Sequence, residues 1–585
     1  LGQTDATLIL PDIKSADSGA YAVVISNRAG AITHVLGELR LLPFQWMGAS
    51  PLPEEPNDRF EGVFATGEFG GRESTLFGFM DGGKIVPLKV LPTLDGGGTA
   101  ISWQSDIKVA VDKGFHPSLI LDFDENGKMD LVGIQDGAIL RFEEDESGEN
   151  TVARLVPDRI PGTGEWEGFD VADIDADGEF DWLFRSSQGV WLAASGSIPP
   201  QPRSIVGQDD SLEGEILMAS FLDLDLDAAP EIVVLLQRSE GTDQSVREFY
   251  VFSPVGELRA KSPLSGDSDS AWIQAYTTSG DIDSDGDLDL FLWGDQAAGD
   301  TMQGHLIRNE GKGKLVASSS EPEGFWPVRI SDAILLDFDN DSWLELLVIG
   351  EGGHVFEFEG ANGIQLSRRV LTESEDSALI STTDANFDGR WDLFILDGQG
   401  RLHHVTTNPG HDAWMGVLVS GRSSRNDGLG AALQLRPVDN GNIISIRRSL
   451  SGQNGKSGGQ HAPLALMGLG RLESLGALQT FWPSGLSNEQ MLTTPNRYVT
   501  AREPVGPVSF EPALLISPEA VDDGEFVFVV RGQPGTTYLI ERSQDLRSWS
   551  PYSKLTLDTD EKGVFGIRMN QGRQQYFRVV GIQRQ

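Results

Sequence analysis

The ten residues from Asp173 to Trp182, "DIDADGEFDW", carry aspartate at positions one, three, five and nine around a single glycine at position six. The residues after the last aspartate, "WLFRSS", are short, apolar and strand-like. The arrangement returns as "DFDENGKMDL" from Asp122, "DLDLDAAPEI" from Asp223, "DIDSDGDLDL" from Asp281, "DFDNDSWLEL" from Asp337 and "DANFDGRWDL" from Asp384. A worn seventh copy, "GEFGGRESTLFGF", begins at Gly67. Counted from Gly67, successive starts lie 55, 51, 50, 58, 56 and 47 residues apart. A period of this size between strand-like flanks marks a propeller whose blades are four-stranded sheets. The fold class expected is all-β: a seven-bladed β-propeller over residues 43–408 with β-sandwich-like modules flanking it.

So much like charge in nine residues calls for a counter-ion. Two carboxylates about 5 Å apart repel by ~3 kcal/mol at an effective dielectric near 20. An EF-hand calcium loop begins in the same way, but it needs glutamate at position twelve and a helix on each side. Here position nine is already Asp181 and a strand comes next, so the loop is of another type. Calcium takes six to eight oxygens, which assigns ligand roles by position. Position one is Asp122, Asp173, Asp223, Asp281, Asp337 or Asp384, and position three is Asp124, Asp175, Asp225, Asp283, Asp339 or Asn386. Position five is Asn126, Asp177, Asp227, Asp285, Asp341 or Asp388. Position seven offers its carbonyl, as at Lys128, Glu179 and Asp287. Position nine is Asp130, Asp181, Glu231, Asp289, Glu345 or Asp392. The glycine at position six allows the positive φ that bends the backbone round an ion. One such loop is equally well a solvated turn, since Asp and Gly are ordinary turn residues. Six at one period favour the metal, and up to six Ca2+ ions are expected.

The copies are unequal. Those at Asp122, Asp173 and Asp281 are complete, whereas Ala228 and Ser342 replace the glycine in two others and Asn386 stands at position three of the last. The Gly67 copy has Gly67, Phe69, Gly71 and Thr75 at the ligand positions, so no ion is expected there. The repeat resembles the FG-GAP/VCBS family of integrin-type propellers and secreted bacterial proteins. That resemblance implies that each acidic loop joins the first two strands of a blade and holds one calcium.

The 585 residues comprise 45 basic and 88 acidic ones, a formal net charge of −43, with 69 glycines and no cysteine. Nucleic acid is excluded as a partner because phosphate affinity needs clustered Lys and Arg. Anionic lipid is disfavoured for the same reason. No apolar run reaches the roughly 20 residues of a membrane helix. Disulfides, thiolate metal sites and cysteine nucleophiles are ruled out. The chain starts at Leu1 without a signal peptide, which suggests a processed or truncated piece of a secreted or cell-surface protein.

The flanks carry signals of their own. Asp17-Ser18-Gly19-Ala20-Tyr21 resembles the D-x-G-x-Y signature of immunoglobulin-like domains, with Val23 where a second cysteine often stands. Residues 1–42 hold only the later strands of such a domain, so either more of it precedes Leu1 or the strand pair docks on the propeller. After the propeller, residues 409–505 contain Trp414, then Ser424-Arg425-Asn426-Asp427-Gly428-Leu429-Gly430-Ala431, Gly468-Leu469-Gly470 and Trp482-Pro483-Ser484-Gly485. These ordered elements resemble the ASPIC/UnbV domain of cartilage acidic protein-like and bacterial secreted multidomain proteins. The order Arg425-Asn426 is reversed from that family's usual one, and its His-Phe before the Gly-Leu-Gly element is missing. Residues 506–585, with Tyr538, Ser543-Gln544-Asp545-Leu546, Trp549 and Tyr576-Phe577-Arg578-Val579, read as a small β-sandwich. They resemble a C-terminal module of large secreted proteins from Verrucomicrobia-like bacteria.

No catalytic constellation emerges. None of the eight histidines stands in a compact metal spacing, and adjacent residues such as His403 and His404 point to opposite faces of a strand. Gly455-Lys456-Ser457 lacks the first glycine of a P-loop, since Leu450 stands there. No G-x-S-x-G elbow is present. The expected function is a non-catalytic, calcium-binding extracellular interaction or adhesion protein whose partner is an extracellular protein or glycan. The alternative is a carbohydrate-active propeller, either a lectin or a calcium-dependent polysaccharide lyase, with Trp293, Trp343 and Trp391 as candidate sugar platforms.

Overall fold

The computed structural model describes side chains chiefly over residues 166–193, 203–206, 214–238, 245–264, 272–295, 304–317, 330–349, 380–406, 413–437, 445–450, 464–470 and 475–504. Elsewhere it describes strands and scattered side chains, and residues 1–18 lie outside it. Every element among the described residues is a strand. None of them is a helix long and apolar enough to cross a membrane.

From Phe60 to Thr407 the strands form seven successive sheets, and each runs as an antiparallel meander. In the sheet that carries the opening loop, Gly168–Ala172 pairs with Asp181–Ser186, which pairs with Gly189–Ala193 and then with Arg203–Gly207. The second strand is buried at all six positions, as is its counterpart Asp392–Asp397. A strand covered on both faces cannot alternate polar and apolar residues, which explains runs such as "WLF" and "LFIL". The last sheet takes its outer strand from the other end of the propeller. Phe44–Ala49 pairs antiparallel with Leu402–Thr407, so the segment before the first repeat completes the last one.

Neighbouring sheets share hydrophobic cores. Leu121, Val132, Phe169 and Phe184 join the second and third sheets, and Leu183, Ile216 and Ile232 the third and fourth. Leu235, Trp272 and Leu290 join the next pair, and Phe291, Ile330 and Leu346 the one after. Ile349 and Ile380 continue the series, and Phe394 and Leu396 meet Phe60 and Met80 of the first sheet. With each fully buried large apolar side chain contributing roughly 1.5–3 kcal/mol, these seams hold the ring closed. Buried polar groups stitch it as well. Asp170 Oδ2 accepts from Ser220 Oγ at 2.6 Å and Phe221 N at 2.8 Å, and Asp332 Oδ2 accepts from Ile380 N at 3.1 Å. The architecture is a β-propeller, with each acidic loop connecting the innermost strand of a sheet to the next strand.

Beyond it, a second module stacks two sheets. Leu464–Gly470, Ala413–Ser420 and Arg497–Arg502 form one, with the last two strands parallel. Ala432–Asp439 and Ser474–Phe481 centre the other, and Met415, Val417, Leu433, Met467, Leu478 and Trp482 fill the space between them. Leu514–Asp522 through Tyr576–Ile582 make two three-stranded sheets. At the start, Gly19–Asn27 and Gly30–Leu39 form a hairpin.

Candidate metal centre

The loops share one hydrogen-bond frame, built from their own aspartates. At position one, Asp173 accepts from Asp177 N and Gly178 N, both at 3.0 Å, Asp223 from Asp227 N at 3.0 Å and Ala228 N at 2.9 Å, and Asp384 from Asp388 N at 3.0 Å and Gly389 N at 2.7 Å. Asp337 Oδ2 accepts from Ser342 N at 3.1 Å. Position five bonds the N–H two residues on: Asp177 to Glu179, Asp227 to Ala229, Asp285 to Asp287, Asp341 to Trp343 and Asp388 to Arg390. Position nine closes the loop onto the N–H of position two, from Asp181 to Ile174, Glu231 to Leu224, Asp289 to Ile282, Glu345 to Phe338 and Asp392 to Ala385.

Position six is left-handed in all five of these loops, with φ of 86° at Gly178, 69° at Ala228, 102° at Gly286, 85° at Ser342 and 79° at Gly389. Position four joins it at Leu226, Ser284 and Asn340. The loop therefore keeps its path where the glycine has been lost.

This frame gathers carboxylates. Asp173, Asp175 and Asp177, then Asp223, Asp225 and Asp227, then Asp281, Asp283 and Asp285 each bring three ligand atoms within 4.8 Å of one another. Position nine lies outside these groups. Asp289 gives its second oxygen to Asn309 N at 2.9 Å, Asp392 to His404 Nε2 at 2.8 Å, and Glu231 pairs with Arg259. Sequence spacing made position nine a ligand; the structure shows that it also accepts the N–H of position two and so ties the incoming strand. Among the remaining expected ligands, the Glu179 side chain is exposed, consistent with a carbonyl role only. Asp122, Asp124, Asn126, Lys128, Asp339 and Asn386 lie outside the described residues, as do the side chain of Asp130 and residues 67–74 of the Gly67 copy.

The groups fit a hard cation. Asp281 is 6% exposed, and its Oδ1 is buried without a hydrogen-bond partner. An orphaned carboxylate oxygen inside a cluster of carboxylates is unfavourable unless a cation faces it. Electrostatics agree. Burial pushes the Asp223 carboxyl up to about 8 and the Asp281 carboxyl up to about 6, against the opposing N–H groups of Ala228 and Gly286. Burial also raises Asp289 to about 7, Glu231 to about 7 and Asp384 to about 6, and it drives Asp173 well above the usual range with help from Asp177 and Asp181. A bound cation reverses this preference. All-oxygen donors with no histidine or sulfur match calcium better than a transition metal.

Sequence reasoning missed what covers the loops. Arg448 Nη2 lies 3.4 Å from Asp337 Oδ2, which also accepts from Gly468 N at 3.0 Å. Tyr498 donates its hydroxyl to Asp384 Oδ2, Arg447 Nη1 donates to Gly286 O at 2.7 Å, and the Arg425 guanidinium sits 3.7 Å over the Phe180 ring. Gly468 has no room for a side chain: a Cβ would run into Asp337 and Asn340. Equally unforeseen is Glu503, whose carboxylate accepts from the N–H groups of Arg422, Ser423 and Ser424 at 2.5, 2.6 and 2.9 Å and from the hydroxyls of Ser424 and Ser484. The serines of two sequence elements thus meet at one buried anion.

The candidate sugar platforms fare poorly. Trp293 and Trp391 are 0% and 5% exposed and belong to the sheet cores, while Trp343 is half-buried. His403 and His404 bond different aspartates, Asp397 and Asp392, each at 2.8 Å, as expected for opposite faces.

Comparison with known proteins gives an FG-GAP-like repeat over residues 281–348, the stretch that contains the Asp281 and Asp337 loops. No curated protein matches the chain. Among solved structures, a lectin of Agrocybe aegerita that recognises non-reducing terminal N-acetylglucosamine aligns at 14% identity and TM-score 0.39, over 58% of this chain and 85% of its own. The N-terminal domain of Nup159 aligns at 9% identity and TM-score 0.36, over 63% and 95%. The biofilm matrix protein Bap1 of V. cholerae aligns at 11% identity and TM-score 0.26, over 89% and 72%.

Proposed function

We propose that the chain is a calcium-loaded, non-catalytic binding protein of the extracellular space, a seven-bladed propeller whose ions stiffen the loops between the first two strands of its blades. The observation that carries this reading is the group Asp281, Asp283 and Asp285, buried at Asp281 and exposed at Asp285, with an Asp281 oxygen that lacks a hydrogen-bond partner, inside the matched FG-GAP-like repeat. The partner is an extracellular protein or glycan that meets the propeller away from its metal loops. The carbohydrate-active alternative is weakened by the burial of Trp293 and Trp391.

The test is direct. Purified chain is stripped with EGTA, titrated with Ca2+, and read by thermal unfolding and by metal content in native mass spectrometry. Three to six ions and a clear upward shift are expected, because ligand at ~100-fold over its dissociation constant adds ~2.7 kcal/mol per site. No uptake and no shift would leave the loops as solvated turns and end the proposal.

A further inference from the structure

The acidic loops do not form an open face. The second module touches all five loops whose frame is described. Ser423 and Arg425 lie at the Asp173 loop, and Ala432 and Phe481 pack on Leu226 and Ala228 of the next. Arg447 meets the Asp281 loop, Arg448 and Gly468 the Asp337 loop, and Trp414 and Tyr498 the Asp384 loop. Gly470 N also donates to Asn340 O at 2.8 Å. Where the module reaches a position-one carboxylate, it does so at a consistent place. Gly468 N and Arg448 go to Oδ2 of Asp337 and Tyr498 to Oδ2 of Asp384, the oxygen that already takes the position-six N–H. The other oxygen of Asp384 accepts from Asp388 N, inside the loop, at 3.0 Å. A cavity of about 60 Å³ lies at the join, lined by Asp281 and Asp337 of the propeller and by Arg447, Arg448 and Leu464 of the module.

We infer that the module spanning residues 413–503 is a cap whose seat is the metal-loop face, and that cation occupancy of the loops and seating of the cap strengthen each other. The inference rests on the cation reading under Proposed function. Seating the cap removes water from position-one carboxylates: Asp281, Asp337 and Asp384 are 6%, 2% and 1% exposed. Unneutralised charge resists that transfer, so an empty loop opposes the cap and a filled one welcomes it. In return, Arg448, Gly468 N and Tyr498 fix the orientation of carboxylates that face the ion, as outer partners of metal ligands do. The coupling is reciprocal: whatever factor the ion adds to seating, seating adds to ion affinity. A face committed in this way is not where an external partner docks.

The test uses the full chain. Hydrogen exchange is followed in strands Ala413–Ser420, Leu464–Gly470 and Arg497–Arg502 with Ca2+ and after EGTA, and Ca2+ affinity is measured by chelator competition for wild type, Tyr498→Phe and Arg448→Met. The expected result is faster exchange of all three strands on Ca2+ removal, and a roughly 10-fold weaker affinity in each variant. Tyr498→Phe deletes one hydroxyl, and the wild-type exchange arm needs no variant, so misfolding cannot mimic the answer. Ca2+ uptake with unchanged exchange in the cap strands and wild-type affinity in both variants overturns the coupling alone. No Ca2+ uptake by wild type overturns both the coupling and the metal reading.

Discussion

Gly389→Ala would add one methyl at the contact between loop and cap. Gly389 is position six of the Asp384 loop, with φ of 79° and its N–H on Asp384 Oδ2 at 2.7 Å. The left-handed backbone raises the energy of alanine over glycine by about 1–2 kcal/mol. The new Cβ would also fall on the indole of Trp414, closer than 3.0 Å to three of its atoms. That ring has little freedom to retreat, since it packs edge-on against Tyr498 at 5.1 Å. Forcing a methyl into such a site adds about 1–3 kcal/mol, so the whole substitution destabilises by roughly 3 kcal/mol. Two companions separate the terms. Gly485→Ala, at φ of 77° with nothing within 4 Å of its Cβ, should show the backbone term alone. In a Trp414→Ala background, Gly389→Ala should fall to that same value, leaving a coupling of about 1–3 kcal/mol. Urea midpoints with Ca2+ present, read by far-UV circular dichroism, give the comparison. Strict additivity of Gly389→Ala and Trp414→Ala would refute the contact, and with it the seating of the cap on this loop.

Other outcomes are expected. In EGTA the raised carboxyls of Asp223, Asp289, Glu231, Asp281 and Asp384 sit at about 8, 7, 7, 6 and 6, above their unfolded values. Their protonation favours the folded state, so the stripped chain gains stability as pH falls from about 8 toward 4; with Ca2+ the slope reverses as protons displace the ion, and parallel slopes in a thermal-shift series would count against metal binding. Ser342→Gly, at φ of 85°, should stabilise by roughly 0.5–1 kcal/mol after the entropy of the unfolded glycine is subtracted. Ala228→Gly should gain less, because that methyl is buried beside Leu226, Leu288 and Ala432; equal gains in thermal midpoint would contradict the packing. Glu503→Ala strands three N–H groups and two hydroxyls, and a loss of at least about 3 kcal/mol is expected with Glu503→Gln intermediate; a neutral Glu503→Ala would show that the loop finds other acceptors.

The fold was legible because the repeat is a backbone requirement written in side chains. Each loop needs an acceptor at position one, an acceptor at position five and a left-handed residue at position six. Aspartate and glycine meet those needs most simply, and the period does the rest. The same logic gives position nine a second task that spacing did not reveal. Aspartate there serves an N–H clamp as well as it serves a metal, and spacing alone does not distinguish the two. Ala228 and Ser342 replace the expected glycine, and their φ values show the turn intact. The cap was out of reach for a different reason. Arg447, Arg448, Tyr498 and Glu503 act across more than 50 residues of sequence, without a periodic signal, and only their neighbours in space reveal them. Trp414 and the Gly468-Leu469-Gly470 element were marked as family-like, but not as the pieces that press on the loops.

The strand Phe44–Ala49 pairs with Leu402–Thr407, about 360 residues later. On a ribosome adding roughly 5–20 residues per second, its partner emerges only after some 20–70 s. During that interval the six sheets built from consecutive strands can form in turn, but the ring stands open and Phe44–Ala49 waits without its partner strand. Such edges are where one chain can pair with another. Synthesis speed and the crowding of neighbouring nascent chains therefore bear on this protein's yield in a way that no point substitution within a blade would disclose.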